Sequence, residues 1–174
     1  MPRLVIISNR LPISVHKKPE GDLEYQRSAG GLATGLGSFY KNYESIWIGW
    51  PGIVREGLKL EETKLIKEVL VAEKCYPVYL GKRDIERYYN GFCNRTIWPI
   101  FHYFPTYAVY ENEYWEAYKK VNRIFFNAII EILKSDDLVW IHDYQLMLLP
   151  NLIREMYPEI VMGFFLHIPF PSYE

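Results

Sequence analysis

Leu4-Val5-Ile6-Ile7-Ser8-Asn9-Arg10 is the stretch from which the fold is read. Its apolar residues stand together without alternation, most are β-branched, and they stop at a polar turn. A strand buried on both faces looks like this, and such strands belong to parallel sheets covered by helices. Comparable short runs return at residues 46–50, 76–80, 137–141 and 160–166. Between them lie segments with helical spacing. Leu32, Leu36, Phe39, Tyr40 and Tyr43 mark one over 32–43, and Leu65, Ile66, Val69 and Leu70 mark another over 61–73. Tyr114, Tyr118, Val121, Phe125, Ile129 and Ile132 form one stripe of a long helix over 113–134. Further helices are expected to start over 84–89, ahead of an aromatic block at 88–103, and to run over 145–156 with a kink at Pro150. Residues 9–29, with Pro12, Pro19, Gly21 and Asp22, read as a loop holding a small hairpin at Gly21. The alternation of strand and helix predicts an α/β fold, a parallel sheet with helices on both faces.

Composition narrows the function. The 174 residues suffice for one domain. The net charge of −1 comes without any basic stripe, which argues against nucleic-acid binding. No apolar run is long enough to span a membrane, and the N-terminal run is too short for a secretory signal, so a cytoplasmic protein is expected. Cys75 and Cys93 are too few and too far apart for a disulfide framework and read as buried thiols. The Asn94-Arg95-Thr96 sequon reads as chance. Aromatic residues make up 17% of the chain, which suits an aromatic-rich core and equally an aromatic-lined pocket for a small polar ligand.

In an open α/β sheet, ligands bind beyond the carboxyl ends of the strands. Those ends are Ser8-Asn9-Arg10, Trp50-Pro51-Gly52, His142-Asp143-Tyr144 and His167-Ile168-Pro169. The topology therefore brings an Arg, an Asp and one or two His to one cleft. Each also has a plainer reading. Arg10 is a surface arginine or a fork for phosphate. Asp143 caps the helix that follows or meets ligand hydroxyls. His142 is a packed strand-end residue, and His167 bonds within its turn or faces a ligand. Gly30-Gly31 marks a tight turn or a helix N-terminus open to an anion, without the dinucleotide or Walker spacing. No metal is expected, since the four histidines are scattered and no carboxylate cluster stands at ligand spacing.

The motifs in order are Ser8-Asn9-Arg10-Leu11-Pro12; Gly30-Gly31-Leu32; Trp47-Ile48-Gly49-Trp50-Pro51-Gly52; Tyr88-Tyr89-Asn90-Gly91-Phe92 through Trp98-Pro99 to His102-Tyr103; Val139-Trp140-Ile141-His142-Asp143-Tyr144; and Gly163-Phe164-Phe165-Leu166-His167-Ile168-Pro169-Phe170-Pro171-Ser172. In this order the chain resembles the trehalose-6-phosphate synthases, retaining glycosyltransferases with two Rossmann-like domains facing across a cleft (the GT-B architecture). The resemblance implies transfer of glucose from UDP-glucose to glucose 6-phosphate with retention, without a metal or other cofactor. It implies that Arg10, Tyr89 and Trp98 hold the acceptor phosphate, that Trp50 lines the acceptor pocket, and that Asp143 binds acceptor hydroxyls. It also implies that Gly30 and Gly31 lie near the donor diphosphate and His167 beside the donor sugar, with Asp143 and His167 at the reacting centre.

The resemblance covers residues 1–174 as a single, incomplete N-terminal acceptor-binding domain, so the nucleotide-sugar domain is expected to be absent and the isolated chain inactive. Two alternatives keep the phosphate clamp: a glucosylglycerol-phosphate synthase-like enzyme with another phosphorylated acceptor, or a non-catalytic sugar-phosphate-binding module. The sequence leaves open whether the parent protein is homo-oligomeric.

Overall fold

Strand β1, Leu4–Arg10, is the centre of the molecule. Val5, Ile6 and Ile7 are fully buried, as the unbroken apolar run requires. The computed structural model describes residues 2–28 and 44–172. The expected helix over 32–43 and the Gly30-Gly31 turn lie outside the described residues.

The chain continues from β1 into an antiparallel hairpin, β2 (Ile13–Lys17) and β3 (Leu23–Arg27). Gly21, at φ 102°, turns the chain between them, where a side chain would be strained. The hairpin around Gly21 is as expected, although its two strands occupy much of what reads as loop. Strand β4 (Ser45–Trp50) follows, then helix α1 (Leu60–Ala72) and β5 (Cys75–Pro77). Next come a helical stretch over 82–101, α2 (Asn112–Ile130), β6 (Leu138–His142), α3 (Leu149–Met156) and β7 (Val161–Phe165).

The five strands β1 and β4–β7 form one parallel sheet in the order β5-β4-β1-β6-β7. Alternation along each strand sends side chains to opposite faces. Val5, Ile7, Ile48, Val139 and Ile141 join a core with Tyr118, Val121, Phe125 and Ile129 of α2 and Leu149 and Ile153 of α3. Ile6 and Trp47 point the other way, into a core with Ile66 and Leu70 of α1 and Ile13 and Val15 of the hairpin. Helices therefore cover both faces, as the sequence pattern predicts. Arg3 clamps the entrances of β1 and β6. Its guanidinium donates Nε to Asp137 Oδ1 at 3.0 Å and a terminal nitrogen to Asp137 Oδ2 at 2.6 Å, and Asp137 is buried.

Three expected elements differ. The segment over 82–101 opens as α-helix at Lys82–Asp84, passes through a π-helix at Ile85–Ile97, and closes as α-helix at Trp98–Phe101. Over the π-helix the backbone hydrogen bonds run i→i+5 rather than i→i+4, and Tyr88, Gly91, Cys93, Thr96 and Ile97 are buried. The helix expected over 145–156 begins only at Leu149, after a 3-10 turn at Tyr144–Leu146. Pro150 sits in its first turn, where its missing N–H costs nothing, and so makes no kink. The strand expected over 76–80 ends at Pro77, with Leu80 held only by an isolated bridge to Val54.

The strand order reverses around β1. The chain winds to one side through β4 and β5, then returns to the other through β6 and β7. A crevice opens at such a switch point, beyond the carboxyl ends of β1 and its neighbours.

Candidate functional site

A cavity of about 240 Å³ occupies that crevice. Ser8, Asn9, Arg10, Leu11 and Pro12 from the end of β1 line it, with Tyr89 from the π-helix and His142, Asp143 and Gln145 from the end of β6.

Arg10 reaches the cavity through a bulge. Ile7 pairs with Ile48, but the next pairing is Arg10 with Trp50, so β1 carries one residue more than β4 there. The extra residue reverses the alternation. Asn9 keeps the side of Val5 and Ile7 and accepts a hydrogen bond from the buried Tyr88 hydroxyl at 2.9 Å. Arg10 then falls on that same side, its guanidinium 4.7 Å from the Trp50 ring centroid and 5.8 Å from that of Tyr89. Ser8 fixes the bulge: its hydroxyl donates to the Arg10 carbonyl at 2.7 Å and accepts the Trp47 indole N–H at 2.7 Å. Gly49 lies opposite the bulge. A Cβ on Gly49 would stand 2.8 Å from the Ser8 carbonyl oxygen and 2.9 Å from the Arg10 carbonyl carbon. The result is an exposed cation over the Trp50 ring and near that of Tyr89, with no hydrogen bond from its guanidinium among the described residues.

Asp143 occupies a conformation that only glycine adopts readily, φ 75° and ψ 165°. Such a residue costs of order 1–3 kcal/mol and persists where its surroundings over-determine it. Here they do. The Asp143 N–H donates to the Phe165 carbonyl at 2.8 Å, and its Oδ1 accepts from the Tyr144 N–H at 3.0 Å and the His167 N–H at 3.2 Å. Oδ1 therefore caps the 3-10 turn, as the structural reading of the sequence has it. Among the described residues Oδ2 has no partner, so one side chain can serve both roles.

Behind Asp143 the turn is anchored by buried phenols. Tyr118 donates to the Tyr144 carbonyl at 2.7 Å and accepts the Met147 N–H at 3.1 Å. Tyr144 donates to Asn94 Oδ1 at 3.2 Å. Burial raises the pKa of Tyr88, Tyr118 and Tyr144 well above the ordinary value, so all three stay protonated donors.

His167 follows β7 and is exposed; its Nε2 lies 3.0 Å from Nδ1 of His142. His142 is buried, and among the described residues its Nε2 has no hydrogen-bond partner. Burial, with a smaller contribution from His167, pushes its pKa down to about 4, so it is neutral at ordinary pH.

The structure thus brings together Arg10, Trp50, Tyr89, Asp143 and His167. Trp50 is buried, and its indole N–H donates to the Ile53 carbonyl at 2.9 Å. It supports Arg10 from beneath and is not among the residues lining the cavity. Trp98 is not brought to the cavity either; it stacks on His102 with ring centroids 3.9 Å apart. Gly30 and Gly31 lie outside the described residues. Asn9, Ser8 and His142 form part of the site in the structure and are not singled out as ligand-holding by the sequence pattern. Cys75 and Cys93 are buried. Among the described residues no helix is long and apolar enough to cross a membrane, and no group of three or more His, Cys, Asp or Glu stands where it could hold a metal ion.

A parallel sheet reversing at β1, with an arginine beside aromatic rings and a strained aspartate at the switch point, belongs to the Rossmann-like α/β class, with its cleft beyond the carboxyl ends of the strands. The family model of glycosyltransferase family 20 matches residues 2–174, and the chain belongs to that family. An α,α-trehalose-phosphate synthase (UDP-forming) of Dictyostelium discoideum is 43% identical over 99% of this chain and 23% of its own length. Among solved structures, an α,α-trehalose-phosphate synthase (UDP-forming) from Burkholderia xenovorans in complex with glucose-6-phosphate matches with a TM-score of 0.72 at 31% identity, over 99% of this chain and 34% of that one. The E. coli protein bound with UDP-2-fluoro glucose matches with a TM-score of 0.75 at 30% identity, over 98% and 34%. The chain spans about a quarter to a third of the length of these relatives.

Proposed function

We propose that this chain is the acceptor-holding part of an α,α-trehalose-phosphate synthase, which transfers glucose from UDP-glucose to glucose 6-phosphate. The observation that carries the reading is the Arg10 guanidinium, beside the Trp50 and Tyr89 rings in a cavity that Asp143 also lines. An arginine fork recognises a phosphate through paired, charge-assisted hydrogen bonds, and its stacking fixes the orientation before the ligand arrives. Asp143 Oδ2 accepts from acceptor hydroxyls and orients the attacking oxygen, which removes an orientational part of the barrier. In this reading the described residues form one Rossmann-like acceptor-binding domain.

The reaction is a same-face substitution. The acceptor oxygen forms a bond to the anomeric carbon as the bond from that carbon to the UDP oxygen breaks, and the departing phosphate takes the acceptor proton. No protein nucleophile and no metal enters this scheme. Relatives that hold glucose 6-phosphate and a UDP-glucose analogue support both substrates.

The test is UDP release by the full-length protein carrying this chain. Release is expected to require UDP-glucose and glucose 6-phosphate together. Arg10→Ala should lower kcat/KM for glucose 6-phosphate by roughly 10- to 100-fold, the worth of a charge-assisted contact. Equal turnover with unphosphorylated glucose would remove the phosphate clamp from the account.

A further inference from the structure

His142 is the one buried imidazole in the site, and its ligand-free nitrogens are unequal. Nδ1 lies 3.0 Å from His167 Nε2, while Nε2 is buried and has no hydrogen-bond partner among the described residues; the imidazole sits near the rings of Trp140 and Phe165. A neutral imidazole carries one N–H and one lone pair. If the proton sat on His142 Nε2, a buried N–H would have no acceptor, and orphaned buried N–H groups are rare and costly. With the proton on Nδ1, His142 donates to His167. Asp143 Oδ1 accepts the His167 backbone N–H at 3.2 Å, which ties the main chain at His167 to the end of β6. The Arg10 guanidinium lies beside the Trp50 and Tyr89 rings.

From this geometry we infer that His142 is a positioning residue: its Nδ1–H donates to His167 Nε2 and holds His167 in the Nδ1–H tautomer, so that the exposed histidine offers a proton donor, and never a base, to a ligand oxygen at the end of β7. A single buried hydrogen bond thus sets the chemical character of an exposed ring. Burial keeps His142 neutral and able to play this part at ordinary pH. The tautomer does not depend on which sugar or nucleotide is bound; only the identity of the ligand oxygen rests on the proposed synthase activity.

The experiment is long-range ¹H–¹⁵N correlation on ¹⁵N-histidine-labelled protein without ligand, at about pH 8, above the ordinary histidine range. His167 is expected almost wholly in the Nδ1–H form. His142→Phe should invert the ratio toward the Nε2–H form that dominates for solvated imidazole. His142→Asn, whose amide nitrogen branches from Cγ as Nδ1 does, should restore the Nδ1–H form. A wild-type His167 in the Nε2–H form, or a ratio unchanged by His142→Phe, overturns the inference. If the Phe variant does not fold, the wild-type and Asn spectra decide, and reversion in the Asn variant counts against it. Because no substrate is present, failure of the synthase reading leaves this result intact.

Discussion

Replacing Gly49 by alanine tests how the bulge builds the site. The new methyl carbon would meet three backbone atoms: the Ser8 oxygen at 2.8 Å, the Arg10 carbonyl carbon at 2.9 Å and the Leu11 nitrogen at 3.0 Å. Ordinary carbon contacts begin near 3.5 Å, so β1 and β4 must part by roughly 0.5 Å. No flexible side chain can yield instead, because all three of these neighbours are main chain in the centre of the sheet. Overpacking of this kind typically costs about 1–3 kcal/mol, and a backbone clash belongs in the upper half of that range. For a domain of this size that lowers Tm by roughly 4–12 °C. The same shift carries Arg10 off Trp50, so glucose 6-phosphate affinity should fall about tenfold or more. Gly57→Ala is the control, since a Cβ there meets nothing within 4 Å. Thermal denaturation and ligand titration of both variants decide the matter. A Gly49→Ala protein that melts and binds like the Gly57→Ala control would refute the reasoning.

Two other perturbations probe the frame and the buried histidine. Asp137→Asn leaves the Arg3 guanidinium facing a neutral amide at the buried entrance of β1 and β6 and should cost about 2–3 kcal/mol; denaturant unfolding checks this, and a loss under about 0.5 kcal/mol would contradict it. His142 titrates near 4 in the folded protein against 6.5 ordinarily, so between those values the unfolded chain binds more protons. Stability should therefore fall as pH drops from about 6.5 to about 4, by up to about 3 kcal/mol from this group, and its contribution should level off below that window. His142→Asn should flatten the slope there, and parallel stability curves for variant and wild type would rule the effect out.

Much of the fold was legible because it rests on local pattern. β1 announces itself as an unbroken apolar run, and α2 as a stripe at three-to-four spacing. What stayed hidden depends on non-local geometry. The bulge that turns Arg10 onto Trp50 has no signature in Ser8-Asn9-Arg10 and is visible only in the pairing of β1 with β4. The π-helix escaped because its buried residues, Tyr88, Gly91, Cys93, Thr96 and Ile97, carry no pattern that separates i→i+5 from i→i+4 hydrogen bonding. Pro150 was legible as a punctuation mark but not as the start of a helix. Asp143 carried a double reading, cap or ligand contact, and its backbone strain was invisible because local rules would place glycine there. Trp98 is close to Tyr89 in sequence, yet the helical stretch between them leaves it outside the cavity lining.

The most direct test of the acceptor site is calorimetric titration of glucose 6-phosphate into the full-length protein and its Arg10→Ala variant, with UDP as a second ligand. The account predicts one site for glucose 6-phosphate, weakened about tenfold or more by the substitution, while UDP binds both proteins alike. Equal glucose 6-phosphate affinity in the two proteins, or a parallel loss of UDP binding, would contradict it.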